Sequence, residues 1–422
     1  MGGRAGVQAL LKERVPALFV QGCVCHSMHL CASYACKELP QRVEELARNV
    51  YSYIMNSPKR LSEYTEFQVF TETRPHRILH PSCTRWLSLE EVVKRIMEQW
   101  PSLTLYFTSA ALEDGMAVAS SVLQELHNPI TKMFFAFLTF ILPAVNKVNV
   151  EFQATSFRVH KLWSSINSSV KAILSYFMKR ESLKDKDLSK INPKDPSNYL
   201  KLEDIYRGAR VESIALEYSS SISKKDLHEF QVKTLNFYVT LSNQMFQRFF
   251  SGTYDKLQLM EALDPENVRE GKPKSVIPLA IKFPNIIKEQ DYEELNKEWR
   301  ELTLFEIPSL RESMEPEQFW FNVSKEKCGD GQRFPKLSKL MNNLMSLPHS
   351  SAAAERIFSM VSNIKTKHRS RLQTATLNGL LHSKALLQSV KCKDWQPSTE
   401  ILKIMTATKT TPETREEEDL QF

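Results

Sequence analysis

The run Ile130–Val145 is the most apolar in the chain, and a stretch of this kind has to be hidden from water. Thr131, Lys132, Thr139 and Pro143 interrupt it, so it reads as a buried core helix that is too short and too mixed to span a bilayer. Leu162, Ile166, Val170, Ile173 and Phe177 recur at helical spacing just beyond it and predict a long helix with one sustained apolar seam. Only 11 glycines interrupt 422 residues rich in helix formers, so a mainly α-helical fold is expected. A chain of this length can bury a substantial core and hold two or three domains.

The net charge of +7 permits contact with phosphate backbones without demanding it. Seven cysteines, an odd number without a disulfide framework, point to reduced thiols in a nuclear or cytoplasmic setting. The start lacks the pattern of a signal peptide, and no membrane partner is expected.

In chain order, residues 5–14 predict a short helix ended by Pro16, and Ala17-Leu18-Phe19-Val20 a buried strand. From Pro40 a helix carries Val43, Leu46, Val50 and Ile54 inward, and Ser57-Pro58-Lys59-Arg60 stops it. Residues 64–84 read as a strand-like start and a loop. Ser88 with Glu91 makes a capping box for a helix bearing Val92, Ile96 and Trp100 and ended by Pro101. Residues 181–200 read as an exposed loop, 224–250 as a helix, and the proline-punctuated 263–290 as a connector with little regular structure. The tail from Thr406, with Glu416, Glu417, Glu418 and Asp419, is too polar to fold alone.

Near the end stands Ser346-Leu347-Pro348-His349-Ser350-Ser351-Ala352-Ala353-Ala354-Glu355-Arg356-Ile357-Phe358-Ser359. Pro348 closes one helix, and Ser350 or Ser351 caps the next. Ala353, Ile357, Met360, Val361 and Ile364 share a face, from which Glu355 points away. A basic turn follows, with Lys365, Lys367, His368, Arg369 and Arg371. Thr374 is the expected cap of a second helix striped by Leu377, Leu380, Leu381 and Leu387.

This block closely resembles the C-terminal signature of hAT-superfamily transposases, the region called the hAT dimerisation domain. The likeness runs back through Gly6-Val7-Gln8-Ala9-Leu10-Leu11, Cys23-Val24-Cys25-His26, Ser57-Pro58-Lys59-Arg60, Thr84-Arg85-Trp86-Leu87 and Leu263-Asp264-Pro265, all in the family's order. It implies an RNase H-like core, incomplete here, with a large helical insertion and a C-terminal helical dimerisation region. The expected divisions are a core remnant at 1–80, the insertion at 81–330, the dimerisation region at 331–405 and an acidic tail at 406–422.

In that family two aspartates and one glutamate hold divalent metal for strand cleavage. The resemblance maps the glutamate onto Glu355, a vestigial third carboxylate; read plainly, it is a surface carboxylate pairing with Arg356 or a nearby lysine. The aspartates belong upstream of the Gly6-Val7 helix, and the first acidic residue here is Glu13. Two-metal chemistry needs several hard oxygen ligands converging on the ions. The chain is therefore expected not to be an enzyme and to need no cofactor, with divalent metal relevant only if the missing aspartates are supplied.

Cys23, Cys25, His26, His29 and Cys31 invite a zinc reading, but their spacing is too tight for the usual pairs, and a buried structural junction is expected. The resemblance places Arg85-Trp86 near DNA, where the ring can stack on an extruded base; the plain reading is a core tryptophan. Lys365, Lys367, Arg369 and Arg371 either grip phosphates or form a solvated loop. Ile357, Phe358, Val361, Leu377, Leu380 and Leu381 are the expected dimerisation residues. The resulting expectation is a transposon-derived, nuclear or cytoplasmic protein that associates with itself or with related hAT-like proteins, with nonspecific DNA contact as an accessory role. The alternative is an active DNA transposase whose upstream portion is missing from this chain.

Overall fold

A computed structural model describes residues 6–15, 18, 20, 22–81, 86–113, 115–154, 156–184, 187–250, 254–304, 314–387 and 394–407. The fold is mainly α-helical. The first part holds α1 (Val7–Arg14), α2 (Val24–Cys36), α3 (Gln41–Met55), α4 (Pro58–Phe70), α5 (Trp86–Glu98), α6 (Trp100–Glu113), α7 (Ala117–His127) and α8 (Pro129–Glu151). After it come α9 (Leu162–Ser175), α10 (Arg180–Leu183), α11 (Ala209–Glu217) and α12 (Lys224–Phe249).

The helix α8 is the hub of this body. Asn128 caps it by accepting from the Ile130 amide at 3.0 Å, and Pro129 sits at its first position, where no amide partner is needed. It is long and apolar enough to cross a membrane by length and composition. Within the protein, however, Met133 through Leu138 are all buried, enclosed by α2, α5, α11 and α12. Phe134 meets Phe230 edge-on at 4.8 Å, and Phe137 meets Phe237 at 5.2 Å and Tyr238 at 5.4 Å. Such pairs add specificity beyond the area they bury. The seam expected along α9 is fully buried from Leu162 to Ile173, with Phe177 just past the helix end.

A second core of the same unit is built from α14 (Pro265–Arg269), α15 (Ile277–Lys282), α16 (Tyr292–Leu304), α17 (Pro316–Lys325) and α18 (Pro335–Met345); α13 (Tyr254–Leu259) leads into it, and the exposed antiparallel hairpin β1 (Lys327–Cys328) and β2 (Gly331–Gln332) joins α17 to α18. Trp299 and Trp320 lie at its centre, and each indole N–H donates to a carbonyl, of Pro273 at 2.8 Å and of Leu263 at 2.9 Å. This first compact unit ends at Ala352, and a second begins at Ala353.

Several expectations are corrected. Residues 64–70, expected to begin a strand and loop, belong to α4: Ser57 accepts from the Arg60 amide, and Pro58 opens the helix. The following stretch to residue 81 is irregular but held, since Gln68 and Gln99 donate to the carbonyls of His76 and Arg74. Pro101 does not end a helix at Trp100. It lies in the first turn of α6, where its missing N–H costs nothing. The helix α5 already begins at Trp86; the Ser88 side chain lies outside the described residues. Leu188 and Ile191 are buried, so 181–200 is an irregular but packed segment. The supposed connector 263–290 buries Val268, Val276, Leu279, Ala280 and Ile287.

Leu18 and Val20 are in no strand, while Ala17 and Phe19 lie outside the described residues, as does the tail from residue 408. Residues 1–80 are helical or irregular wherever described. Among the described residues the only strands are β1 and β2, with one isolated bridge between Met178 and Tyr199.

Candidate functional site

The terminal block begins inside the first unit. Glu298 on α16 is buried and accepts from the amides of Lys336 at 3.2 Å and Leu337 at 2.8 Å, so a carboxylate stands at the N-terminus of α18. Burial raises its pKa, and the two amides oppose the shift. Lys336 pairs with Asp291 at 2.9 Å, and Arg333 with Glu301 at 2.6 Å.

Beyond Pro348 the chain is pinned by polar contacts. Ser350 Oγ donates to the Phe152 carbonyl at 2.7 Å and accepts from the Ala352 amide at 3.3 Å, which makes it the capping serine. His349 Nε2 lies 3.2 Å from the Ala154 carbonyl. The Ser351 amide donates to Cys23 Sγ at 3.3 Å. Cys23 precedes α2, and a hydrogen bond with the Cys25 thiol, reinforced by Ser351, holds its pKa down to about 4. Cys25 itself donates to the Asn149 carbonyl at 3.7 Å. The cysteines expected at a buried junction thus sit at one, half-buried at Cys23 and Cys25 and buried at Cys31. Among the described residues no group of three His, Cys, Asp or Glu side chains is placed to hold a metal ion.

The second unit contains α19 (Ala352–Ile364), α20 (Thr374–Leu386) and α21 (Thr399–Ala407). None of its described residues from 353 to 406 is buried. On α19, Ile357 is 49% exposed and Phe358 68%, while Met360, Val361 and Ile364 are half-buried. On α20, Leu377 and Leu381 are half-buried and Leu380 and Leu386 exposed. Thr374 is the first residue of α20, and Gln373 occupies the cap position without a side-chain bond.

Lys365, Lys367, His368, Arg369 and Arg371 are exposed around a single 3₁₀ turn at 367–369. Glu355 is exposed on α19. Among the described residues Glu355 belongs to no group of three His, Cys, Asp or Glu side chains placed to hold a metal ion. Arg85 and the side chain of Trp86 lie outside the described residues, although Trp86 opens α5.

Sequence reasoning missed the Glu298 cap and the exposed Leu386, Trp395, Ile401, Ile404 and Met405. The spacing of Ile401, Ile404 and Met405 was a signal that could have found the last helix. Residues 292–387 match the family model of the hAT family C-terminal dimerisation region. The match starts at the first residue of α16 and stops one residue past α20, so it takes in the Glu298-capped helices as well as the exposed pair. The chain therefore carries an hAT C-terminal dimerisation region, a match that supports an hAT-family transposase-related protein.

Proposed function

We propose that this protein works by self-association, or by association with related hAT-like proteins, through the apolar faces of α19 and α20, and does not cut DNA. One observation carries the reading: among the described residues of the second unit, helices rich in isoleucine, leucine and phenylalanine have no fully buried side chain, and Ile357, Phe358, Leu380 and Leu386 stand exposed. Helices this short are marginal in isolation and draw their stability from packing. The match to a dimerisation region supplies the kind of partner. Light scattering on the full chain across a wide concentration range tests it. A concentration-dependent rise to the dimer mass is expected, and a strict monomer at high concentration would refute it.

The absence of nuclease activity is part of the same reading, and what supports it is that Glu355 belongs, among the described residues, to no group of three His, Cys, Asp or Glu side chains that could hold a metal ion. Residues 1–80 are read as a remnant of the family's RNase H-like core, helical or irregular wherever described. Incubating supercoiled DNA with the protein and magnesium or manganese checks this: nicking that disappears in Glu355→Gln would show an active enzyme.

The basic turn supports nonspecific DNA contact as an accessory role, exercised in the nucleus. Its four Lys and Arg side chains stand exposed on one short turn. Each phosphate contact adds roughly 0.9 to the slope of log affinity against log salt, so a Lys367→Ala, Arg369→Ala variant should lower that slope by about 2. An unchanged slope would rule the turn out.

A further inference from the structure

The helix α21 begins at Thr399, past the end of the matched dimerisation region at 387. Its start is encoded: Ser398 Oγ accepts from the Ile401 amide at 3.3 Å, the bond expected of an N-cap. Ile401, Leu402, Ile404 and Met405 follow at one-turn spacing and are 41%, 47%, 66% and 62% exposed. Glu400 precedes them and Lys403 interrupts them, so the helix is amphipathic. Trp395, just ahead of it, is exposed as well. Nine residues span only about 13 Å, and β-branched Ile401, Ile404 and Thr406 are mediocre helix formers. Such a helix persists when its apolar stripe is covered.

The same unit presents the exposed faces of α19 and α20, which belong to a region whose family role is dimerisation. The stripe on α21 continues that apolar surface in sequence and in chemistry, and a two-fold interface presents the same patch on both copies. We infer that α21 is a further part of the self-association surface, with Ile401, Leu402, Ile404 and Met405 covered by a second copy of this chain. The inference rests on the reading above that the protein dimerises, and it extends the contact beyond the matched region.

The test compares the full-length wild type with an Ile401→Glu, Ile404→Glu variant by sedimentation equilibrium, with thermal unfolding followed by circular dichroism. The expected result is a dimeric wild type and a variant whose dissociation constant rises about tenfold or more, while the main unfolding transition stays put. A dimeric wild type with an unaffected variant overturns the role of α21 alone. A wild type that stays monomeric overturns the dimerisation reading, and this inference with it. A photo-reactive benzoylphenylalanine at position 405 gives an arm that does not depend on the charged variant. Adducts of dimer mass are expected, and adducts confined to a single chain would show that α21 is covered by its own polypeptide and overturn the inference.

Discussion

Replacing Phe358 by alanine isolates the largest exposed apolar side chain of α19, and its effect on association can be worked from the structure. Phe358 is 68% exposed in the single chain. A phenylalanine side chain offers roughly 150–250 Å², so about 100–170 Å² of it meets water. At about 25 cal/mol per Å², covering that surface is worth about 2.5–4 kcal/mol. In a two-fold dimer the contact occurs in each copy, which doubles the upper bound. Ordering and desolvation at the interface remove part of the gain. A net loss of about 3 kcal/mol is therefore expected, roughly a hundredfold in dissociation constant. Sedimentation equilibrium of Phe358→Ala beside the wild type measures it directly. Alanine favours the helix, so circular dichroism should show undiminished helix content. Wild-type affinity in a helical variant would mean that α19 does not meet its partner through this face.

Three further outcomes follow from the first unit. Gly208 has φ +99°, and an added Cβ would lie 2.8 Å from Phe140, whose ring is held between Tyr176 and Tyr206; Gly208→Ala should cost about 2–5 kcal/mol in urea unfolding, and a loss below about 1 kcal/mol would contradict that packing. Glu298→Ala strips two amides of their acceptor and should cost about 2–3 kcal/mol, with Glu298→Gln, which keeps one, at about 1–2 kcal/mol. Because the native carboxyl of Glu298 has a raised pKa, the folded state holds its proton more tightly than the unfolded state. Its contribution to stability is therefore full below the ordinary glutamate pKa and declines as pH rises through the raised value. That decline should vanish in Glu298→Gln, and a pH dependence identical to wild type would refute the assignment. Cys23, with its pKa held to about 4, should alkylate with iodoacetamide at a rate nearly independent of pH down to about pH 5; a tenfold slowing for each unit below about pH 8 would show an ordinary thiol.

Where periodicity and burial agree, the sequence was readable. The seams of α3 and α9 and the apolar run of α8 each carry enough buried side chains to fix both the helix and its inward face. The helix α4 escaped because its buried positions are Tyr64 and the polar Gln68. What holds them is a tertiary network, in which the Tyr64 hydroxyl donates to Gln99 at 3.0 Å and Gln68 donates to the same oxygen at 2.6 Å. No hydrophobic pattern encodes that arrangement.

The prolines of 263–290 misled for a related reason. Pro265 and Pro278 open short helices, and the Pro273 carbonyl serves as acceptor for Trp299, so residues that look like breakers are positions in a packed core. At the candidate site, spacing disclosed the helices α19 and α20 and the apolar side of α19. It could not distinguish a stripe that fills a core from one left open for a partner, since both are written with the same isoleucines and leucines.

The central position of α8 also sets conditions on how the protein is made. The residues that cover it from the far side, Phe230, Phe237 and Tyr238, come about a hundred positions later in the chain. At roughly 5–20 residues per second of translation, a ribosome needs about 5–20 s to deliver them. Throughout that interval the nascent polypeptide carries a bare, bilayer-like segment, which makes it a client for chaperones that shield apolar helices until α12 emerges.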